Sequence, residues 1–168
     1  MKTPVQSILI FLTGIAFLGS GFLLSCNKED PAVQNTNGKL INISECKSGK
    51  SSVADTFSCV EYTFEPSSGK LLLKHVNSAF NCCPLEVTCT FSIVNDTIII
   101  EEMESEPACN CDCLYDLDIE ISGITAKIYR LKFIEPYLGD QEPLDFYIDI
   151  PSEPAGIKCV SRSNYPWN

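Results

Sequence analysis

Cysteine is the residue type with the greatest potential for chemistry in this 168-residue chain, which contains ten of them. Thiols can pair as disulfides, bind soft metal ions or exchange electrons. Two groups are closely spaced: the adjacent pair Cys82-Cys83, and an alternating run of Cys109, Cys111 and Cys113. Because alternate residues of an extended strand share one face, the three sulfurs of the run point together toward the core or its rim.

Disulfide formation is the interpretation that we favour for these two groups. In it, Cys82 and Cys83 pair with two cysteines of the run, since adjacent cysteines rarely meet the geometry of a bond to each other. A closed loop of about 26–31 residues would stabilise the domain by roughly 3–4 kcal/mol. Apart from Cys26, nine cysteines remain, so at least one thiol stays free, binds a metal or pairs between chains. The nine are Cys46, Cys59, Cys82, Cys83, Cys89, Cys109, Cys111, Cys113 and Cys159.

Metal binding is the main alternative for the same sulfurs. Zinc and copper(I) favour thiolate ligands, and an imidazole can complete a zinc site. The spacing is not that of two CxxC pairs, and no CxxC at a helix start supports a third, redox interpretation. The candidate ligands are Cys82, Cys83, Cys109, Cys111, Cys113 and His75.

His75 is the only histidine, so any Ser–His–acid triad would have to use it. No serine lies in a GxSxG motif, which would mark a nucleophile elbow. The surrounding stretch, KLLLKHV, predicts a strand, and we expect His75 to be partly exposed on it. The sequence therefore favours a protein without enzymatic activity.

Acidic residues offer a glycan-active alternative, because paired carboxylates can hydrolyse glycosidic bonds. We expect alternating acids on a strand to form its solvated face, offset by basic residues across the following hairpin. The acids are Asp116, Asp118, Glu120, Asp145 and Asp149, and the basic residues are Lys127, Arg130 and Lys132. Aromatic side chains that could bind sugar are Tyr137, Tyr165 and Trp167.

Hydrophobic alternation with a period of two residues is the dominant pattern after Cys26. It predicts an all-β domain with antiparallel pairing, folded as an immunoglobulin-like β-sandwich. A small lipocalin-like β-barrel is the alternative, because eight strands also suit that fold. The eight predicted strands are 57–64, 70–76, 85–94, 97–102, 113–121, 126–134, 144–150 and 157–161.

The N-terminus has the pattern of a secretory signal, with Lys2 followed by an apolar stretch over residues 8–24. Its end, Leu23-Leu24-Ser25-Cys26, resembles the lipobox of bacterial lipoproteins. The resemblance implies cleavage before Cys26 and attachment of diacylglycerol and acyl chains such as palmitate to that cysteine. We therefore expect a signal peptide over 1–25, a lipidated tether over 26–38 and one β domain over 39–168.

The residues Lys28-Glu29-Asp30 are similar to the export signal of surface lipoproteins of the Bacteroidota. This resemblance implies attachment to the outer membrane with exposure at the cell surface. In addition, Asp96-Thr97-Ile98 is similar to the O-glycan acceptor of exported Bacteroidota proteins, which makes Thr97 a candidate for glycosylation.

Net charge limits the possible partners. Without the signal peptide the chain has eleven basic and 22 acidic residues, a formal charge of −11. This acidity argues against nucleic acid, which needs clustered Lys and Arg. We expect the chain to contact the membrane only through its lipid anchor and to serve binding or structural interaction with an extracellular ligand or protein.

Overall fold

The computed structural model of this protein describes residues 34–35, 37–47, 56–106, 109–164 and 166. These ranges contain ten β-strands and no α-helix. The predicted signal peptide, Cys26 and Lys28-Glu29-Asp30 all lie outside them. The strands are β1 (Gln34–Asn35), β2 (Asn37–Ile43), β3 (Phe57–Glu65), β4 (Lys70–Asn81), β5 (Glu86–Val94), β6 (Thr97–Ser105), β7 (Asp112–Ser122), β8 (Ile128–Ile134), β9 (Asp145–Asp149) and β10 (Ala155–Ser161).

The strands form two packed five-stranded sheets, so the predicted β-sandwich is confirmed. The first sheet has the order β1-β5-β6-β8-β9, and the second has the order β10-β3-β4-β7-β2. Neither sheet closes on itself, so the alternative of a small barrel is wrong. All eight strands predicted from the sequence are present, with ends that shift by a few residues.

The core between the sheets follows directly from the alternation in the sequence. In β7, Tyr115, Leu117, Ile119 and Ile121 are all at most 5% exposed, while the acids between them face outward. Strand β8 of the opposite sheet shows the same alternation. Burying apolar surface of this kind, at roughly 25 cal/mol per Å², is what holds the two sheets together.

Two hairpins end in turns that the sequence predicts. Asn95 and Asp96 join β5 to β6 with φ angles of 48° and 61°. Asn and Asp tolerate this left-handed conformation, which matches the twist of the two strands. Residues 66–69 join β3 to β4, where Gly69 has a φ angle of 61°.

The predicted hairpin between β7 and β8 does not form. Strand β7 already pairs with β4 on one edge and with β2 on the other, so it has no free edge for β8. After Gly123 the chain therefore crosses to the first sheet, where β8 lies parallel to β6 and antiparallel to β9. The expectation of purely antiparallel pairing is wrong at this one pair of strands.

Strands β1 and β2 begin inside the range 26–38 that the sequence predicts as a tether. Strand β1 is polar, and β2 places Leu40 and Ile41 side by side, so neither shows a clear hydrophobic alternation; their backbones pair with β5 and β7. Gly38 allows this packing, because a Cβ atom there would lie 2.2 Å from the ring of Phe91.

Candidate functional site

Three disulfides join distant parts of the described chain. Cys59–Cys159 links directly opposite residues of β3 and β10. Cys46–Cys113 and Cys82–Cys111 lie together near the start of β7, where Cα atoms of the bonded residues are 5.9 and 5.6 Å apart. The prediction of a disulfide-linked β domain is therefore confirmed. Cys82 pairs with a cysteine of the alternating run as the favoured interpretation predicts, whereas Cys83, which that interpretation also pairs with the run, carries a free thiol in the structure.

The remaining sulfurs of the predicted groups lie beside these two bonds. The sulfurs of Cys82, Cys109 and Cys111 are all within 4.8 Å of one another, as are those of Cys46, Cys82 and Cys113. The sulfur of Cys109 lies 3.3 Å from that of Cys111, and hydrogen bonding from the Cys83 side chain raises the pKa of Cys109. We call these six residues the rim cluster: Cys46, Cys82, Cys83, Cys109, Cys111 and Cys113.

Strand pairing positions the rim cluster. The pairing of β4 with β7 continues one residue beyond the strands: the N–H of Cys82 donates to the carbonyl of Cys111 over 2.8 Å. Cys113 is 2% exposed and packs in the core, whereas Cys111 is exposed. The alternating run thus extends from the core, at Cys113, to the rim of the sandwich, at Cys111. This agrees with the prediction that its sulfurs point toward the core or its rim.

Asn81, at the end of β4, binds both cysteine segments and is only 4% exposed. Its amide nitrogen donates to the carbonyl of Cys109 over 2.6 Å. Its amide oxygen accepts from the N–H of Cys83 at 2.9 Å and from the thiol of Cys109 at 3.1 Å. Nothing in the sequence pattern identifies this asparagine as the residue that organises the cluster.

Cys83, Cys89 and Cys109 carry free thiols in the structure. Cys89 lies apart from the rim cluster on β5, where it packs against the core. Burial, together with the charge of Glu102, raises the pKa of Cys89 to about 12. Its thiol is therefore protonated at neutral pH and is a poor nucleophile.

The structure does not bring His75 to these sulfurs, and the prediction that it is partly exposed is wrong. His75 is fully buried between the sheets. Its Nδ1 lies 2.6 Å from Oε1 of Glu102, and its Nε2 lies 2.9 Å from Oγ of Ser58. Burial lowers the pKa of His75, but Glu102 and Glu135 outweigh this effect and raise it overall.

Further charged groups extend this buried network across both sheets. Ser78 on β4 donates to Oε2 of Glu102 on β6 over 2.6 Å. Arg162, just after β10, donates through Nη2 to both carboxylate oxygens of Glu135, at 2.9 and 2.8 Å. Burial raises the pKa of Glu135, although His75 and Arg162 oppose the shift. We call the six residues the buried polar network: Ser58, His75, Ser78, Glu102, Glu135 and Arg162.

Ser58, His75 and Glu102 are connected in the order of a Ser–His–acid triad. However, Ser58 and His75 have no exposed surface, and Glu102 is 2% exposed. A substrate could reach Oγ of Ser58 only if the two sheets separated. The connection therefore fits a network that satisfies buried polar groups better than it fits a catalytic site.

The acidic face of β7 is neutralised within its own sheet rather than across a β7–β8 hairpin. Glu120 lies 3.2 Å from Lys39 and 3.0 Å from Lys70, and these lysines lower the pKa of Glu120. Asp118 is 3.8 Å from Lys74, and Asp116 binds Lys47. The predicted partners of these acids bind elsewhere: Lys127 binds Asp96, and Arg130 binds Asp145.

The other predicted site residues are scattered. Thr97 is the first residue of β6 and is partly exposed beside the Asn95-Asp96 turn. Tyr137 is half-buried and donates to Glu104, which raises the pKa of Tyr137 to about 12. Tyr165 and Trp167 lie outside the described residues.

The fold and the rim cluster define the class of this protein: an all-β sandwich domain linked by disulfides. No protein-family model, curated protein or solved structure matches the chain. Within the described ranges, no helix has the length and apolar character needed to span a membrane.

Proposed function

We propose that this chain is a lipid-anchored lipoprotein of the bacterial outer membrane, exposed at the cell surface, whose β-sandwich serves binding or structural interaction. The three disulfides carry this proposal, since they join residues 29 to 100 positions apart. Such bonds persist in compartments outside the cytoplasm. They agree with the export that the lipobox at Cys26 implies, and the partner is an extracellular ligand or protein.

The buried polar network supports a role without enzymatic activity. The only imidazole in the sequence is enclosed between the sheets, with both ring nitrogens bound. The acids on the face of β7 are paired with lysines, which leaves them suited to solubility rather than to proton transfer. A net acidic surface also keeps the domain clear of anionic membrane headgroups.

Replacement of Cys26 by serine tests the anchor. We expect the Cys26→Ser chain to lose incorporation of an alkyne-labelled palmitate and to lose the processed form, because serine lacks the thiol that accepts diacylglycerol. Acyl chains contribute about 0.8 kcal/mol per buried CH₂, so the loss should greatly reduce membrane retention. The measurement is lipid labelling and fractionation of the whole chain in a Bacteroidota host.

The matched control changes Lys28, Glu29 and Asp30 together to alanine and leaves Cys26 intact. We expect this variant to incorporate lipid normally but to resist protease added to intact cells, because it stays on the inner side of the outer membrane. Unchanged lipid labelling of Cys26→Ser would overturn the anchor. Unchanged protease access in the triple variant would overturn only the surface signal.

A second candidate function is binding of zinc or copper(I) by thiolates of the rim cluster. The observation that favours it is the approach of three sulfurs, those of Cys82, Cys109 and Cys111, to within 4.8 Å of one another. Cys83, whose backbone N–H binds the same Asn81 side chain as Cys109, would supply a fourth sulfur. Four thiolates at about 2.3 Å from zinc form a tetrahedral site. This function requires the Cys82–Cys111 bond to be reduced.

Metal titration of the full chain tests this candidate. After reduction with a phosphine under anaerobic conditions, Zn²⁺ should bind at one ion per chain if the site exists. Cys109→Ser should abolish that binding because one ligand is lost, whereas Cys89→Ser should leave it unchanged. Zinc binding below one ion per two chains, or equal binding by both variants, would eliminate the rim cluster as a metal site.

A further inference from the structure

Cys83 and Cys109 are the two thiols of the rim cluster that carry no disulfide in the structure, and Asn81 binds the backbone of both. Hydrogen bonding from the Cys83 side chain is the largest of the effects that raise the pKa of Cys109, and the sulfur of Cys109 also lies 3.3 Å from that of Cys111. Cys83 is exposed and Cys109 is partly exposed, so reagents in solution can reach both.

The two cysteine segments are held beside each other by a buried side chain. Asn81 binds the N–H of Cys83 and the carbonyl of Cys109 through one amide group. The backbone of Asn81 is in turn fixed, because its carbonyl accepts a hydrogen bond of 3.0 Å from the hydroxyl of Tyr115. Both cysteine segments are thus positioned by the same fixed residue, Asn81, at the end of β4.

The neighbouring bond Cys82–Cys111 joins the same two segments of chain. This bond removes Cys82 and Cys111 as partners for the two thiols, and Cys113 is bonded to Cys46. Within the rim cluster, Cys109 is therefore the one partner left for Cys83. The adjacent residue Cys82 is an unfavourable partner for Cys83 in any case, because of the geometry that a disulfide requires.

We propose that Cys83 and Cys109 form a fourth disulfide in the exported protein, beside Cys82–Cys111. Going beyond the proposed function, this bond makes two adjacent covalent links between the segment after β4 and the segment before β7. The nine cysteines that follow Cys26 then form four pairs, and Cys89 is the single remaining thiol. The odd number of cysteines is then explained by Cys89, a partly buried residue that packs against the core, rather than by a link between chains.

The oxidation is balanced by a disulfide donor of the exporting compartment, either a protein disulfide or a small-molecule disulfide. Cys83 and Cys109 together lose two protons and two electrons as their S–S bond forms. The S–S bond of the donor breaks and becomes two thiols. The hydrogen bond from the Cys109 thiol to Asn81 is lost in this step, whereas the two backbone contacts of Asn81 do not depend on that proton.

Differential alkylation of the full chain, purified from the host membrane, tests the proposal. The chain is denatured without reductant and labelled with iodoacetamide, then reduced and labelled with N-ethylmaleimide. Cleavage after glutamate yields residues 62–86 with Cys82 and Cys83, residues 87–101 with Cys89, and residues 105–120 with the alternating run. Fragmentation of these peptides by mass spectrometry assigns each label to one cysteine.

The expected result is iodoacetamide on Cys89 alone and N-ethylmaleimide on both Cys83 and Cys109. In the Cys83→Ser chain, Cys109 should carry iodoacetamide instead of N-ethylmaleimide. In the Cys109→Ser chain, Cys83 should do so. Cys89→Ser, the matched control, should change no other label. Iodoacetamide on most copies of Cys83 and Cys109 in the unaltered chain would overturn the proposal, as would continued protection of either one after its partner is replaced.

Discussion

Replacement of Arg162 by methionine should lower the free energy of unfolding by about 3–5 kcal/mol, the usual cost of removing one partner from a buried ion pair. Arg162 is 4% exposed and donates to both carboxylate oxygens of Glu135. Methionine retains most of the apolar volume but leaves Glu135 buried without its closest cation. The carboxylate must then stay charged in the core or take up a proton.

The pH dependence of this loss distinguishes the effect of removing the positive charge beside Glu135 from the effect of altered packing. Burial already raises the pKa of Glu135 above its usual value of 4.5, and removal of Arg162 should raise it further. Between the pKa of Glu135 in the unfolded chain and its higher pKa in the folded chain, the folded chain binds more protons than the unfolded one. Stability therefore falls as pH rises through this range. The destabilisation by Arg162→Met should therefore be larger at pH 7 than at pH 4.

Urea unfolding followed by far-UV circular dichroism measures both quantities, with the disulfides left intact. Arg130→Met is the matched control, because Arg130 pairs with Asp145 at the surface and its side chain is 45% exposed. An exposed pair of this kind contributes about 0–1 kcal/mol. Equal losses for the two variants, or a loss for Arg162→Met that does not change with pH, would contradict the role assigned to the buried polar network.

The same network shows what local sequence patterns can and cannot predict. His75 follows Leu71 and Leu73 at intervals of two residues, so the parity of β4 already places it on the buried face. The expectation of partial exposure came from the polar character of the residue, which outweighed its position. Glu102 likewise shares parity with Ile98 and Ile100 of β6, and both isoleucines are fully buried.

Glu135 also shares parity with the buried Leu131 and Phe133 of β8, but parity does not show that it meets Arg162, since each lies just after the end of its strand. They meet only because β8 and β10 belong to opposite sheets whose ends come together. Sheet membership is a property of the whole chain. For the same reason the sequence predicted eight strands correctly but predicted a hairpin between β7 and β8, where the chain changes sheets.

The pairing of the cysteines could be predicted from the sequence only in part. Parity and spacing predicted that the alternating run and the Cys82-Cys83 pair would meet, and Cys82–Cys111 agrees with this. The partner of Cys113 depends instead on Cys46, in the segment after β2. That segment continues from β2, which runs beside β7 and which hydrophobic alternation in the sequence does not reveal.

Removal of the disulfide between β3 and β10 should cost about 2–5 kcal/mol of stability, measured on the Cys59→Ala/Cys159→Ala double variant. The bonded residues are 100 positions apart, and a loop of that size corresponds to about 4.7 kcal/mol if the effect is the restricted entropy of the unfolded chain. Among the described strands, β10 lies at the edge of its sheet and pairs only with β3, so the bond also prevents it from separating locally.

The matched control is the double variant Cys82→Ala/Cys111→Ala, whose residues are 29 positions apart. Taken alone, its shorter loop should cost roughly 1 kcal/mol less, because the entropy of closure grows with the logarithm of loop length. If the proposed Cys83–Cys109 bond is present, the cost should be smaller still, because that bond keeps nearly the same loop closed. Urea unfolding under non-reducing conditions compares both variants with the unaltered chain. Since a reductant removes the bonds from every variant, its addition should bring the three chains to nearly equal stability. If Cys59→Ala/Cys159→Ala were as stable as the unaltered chain without reductant, β10 would be held by strand pairing and packing alone.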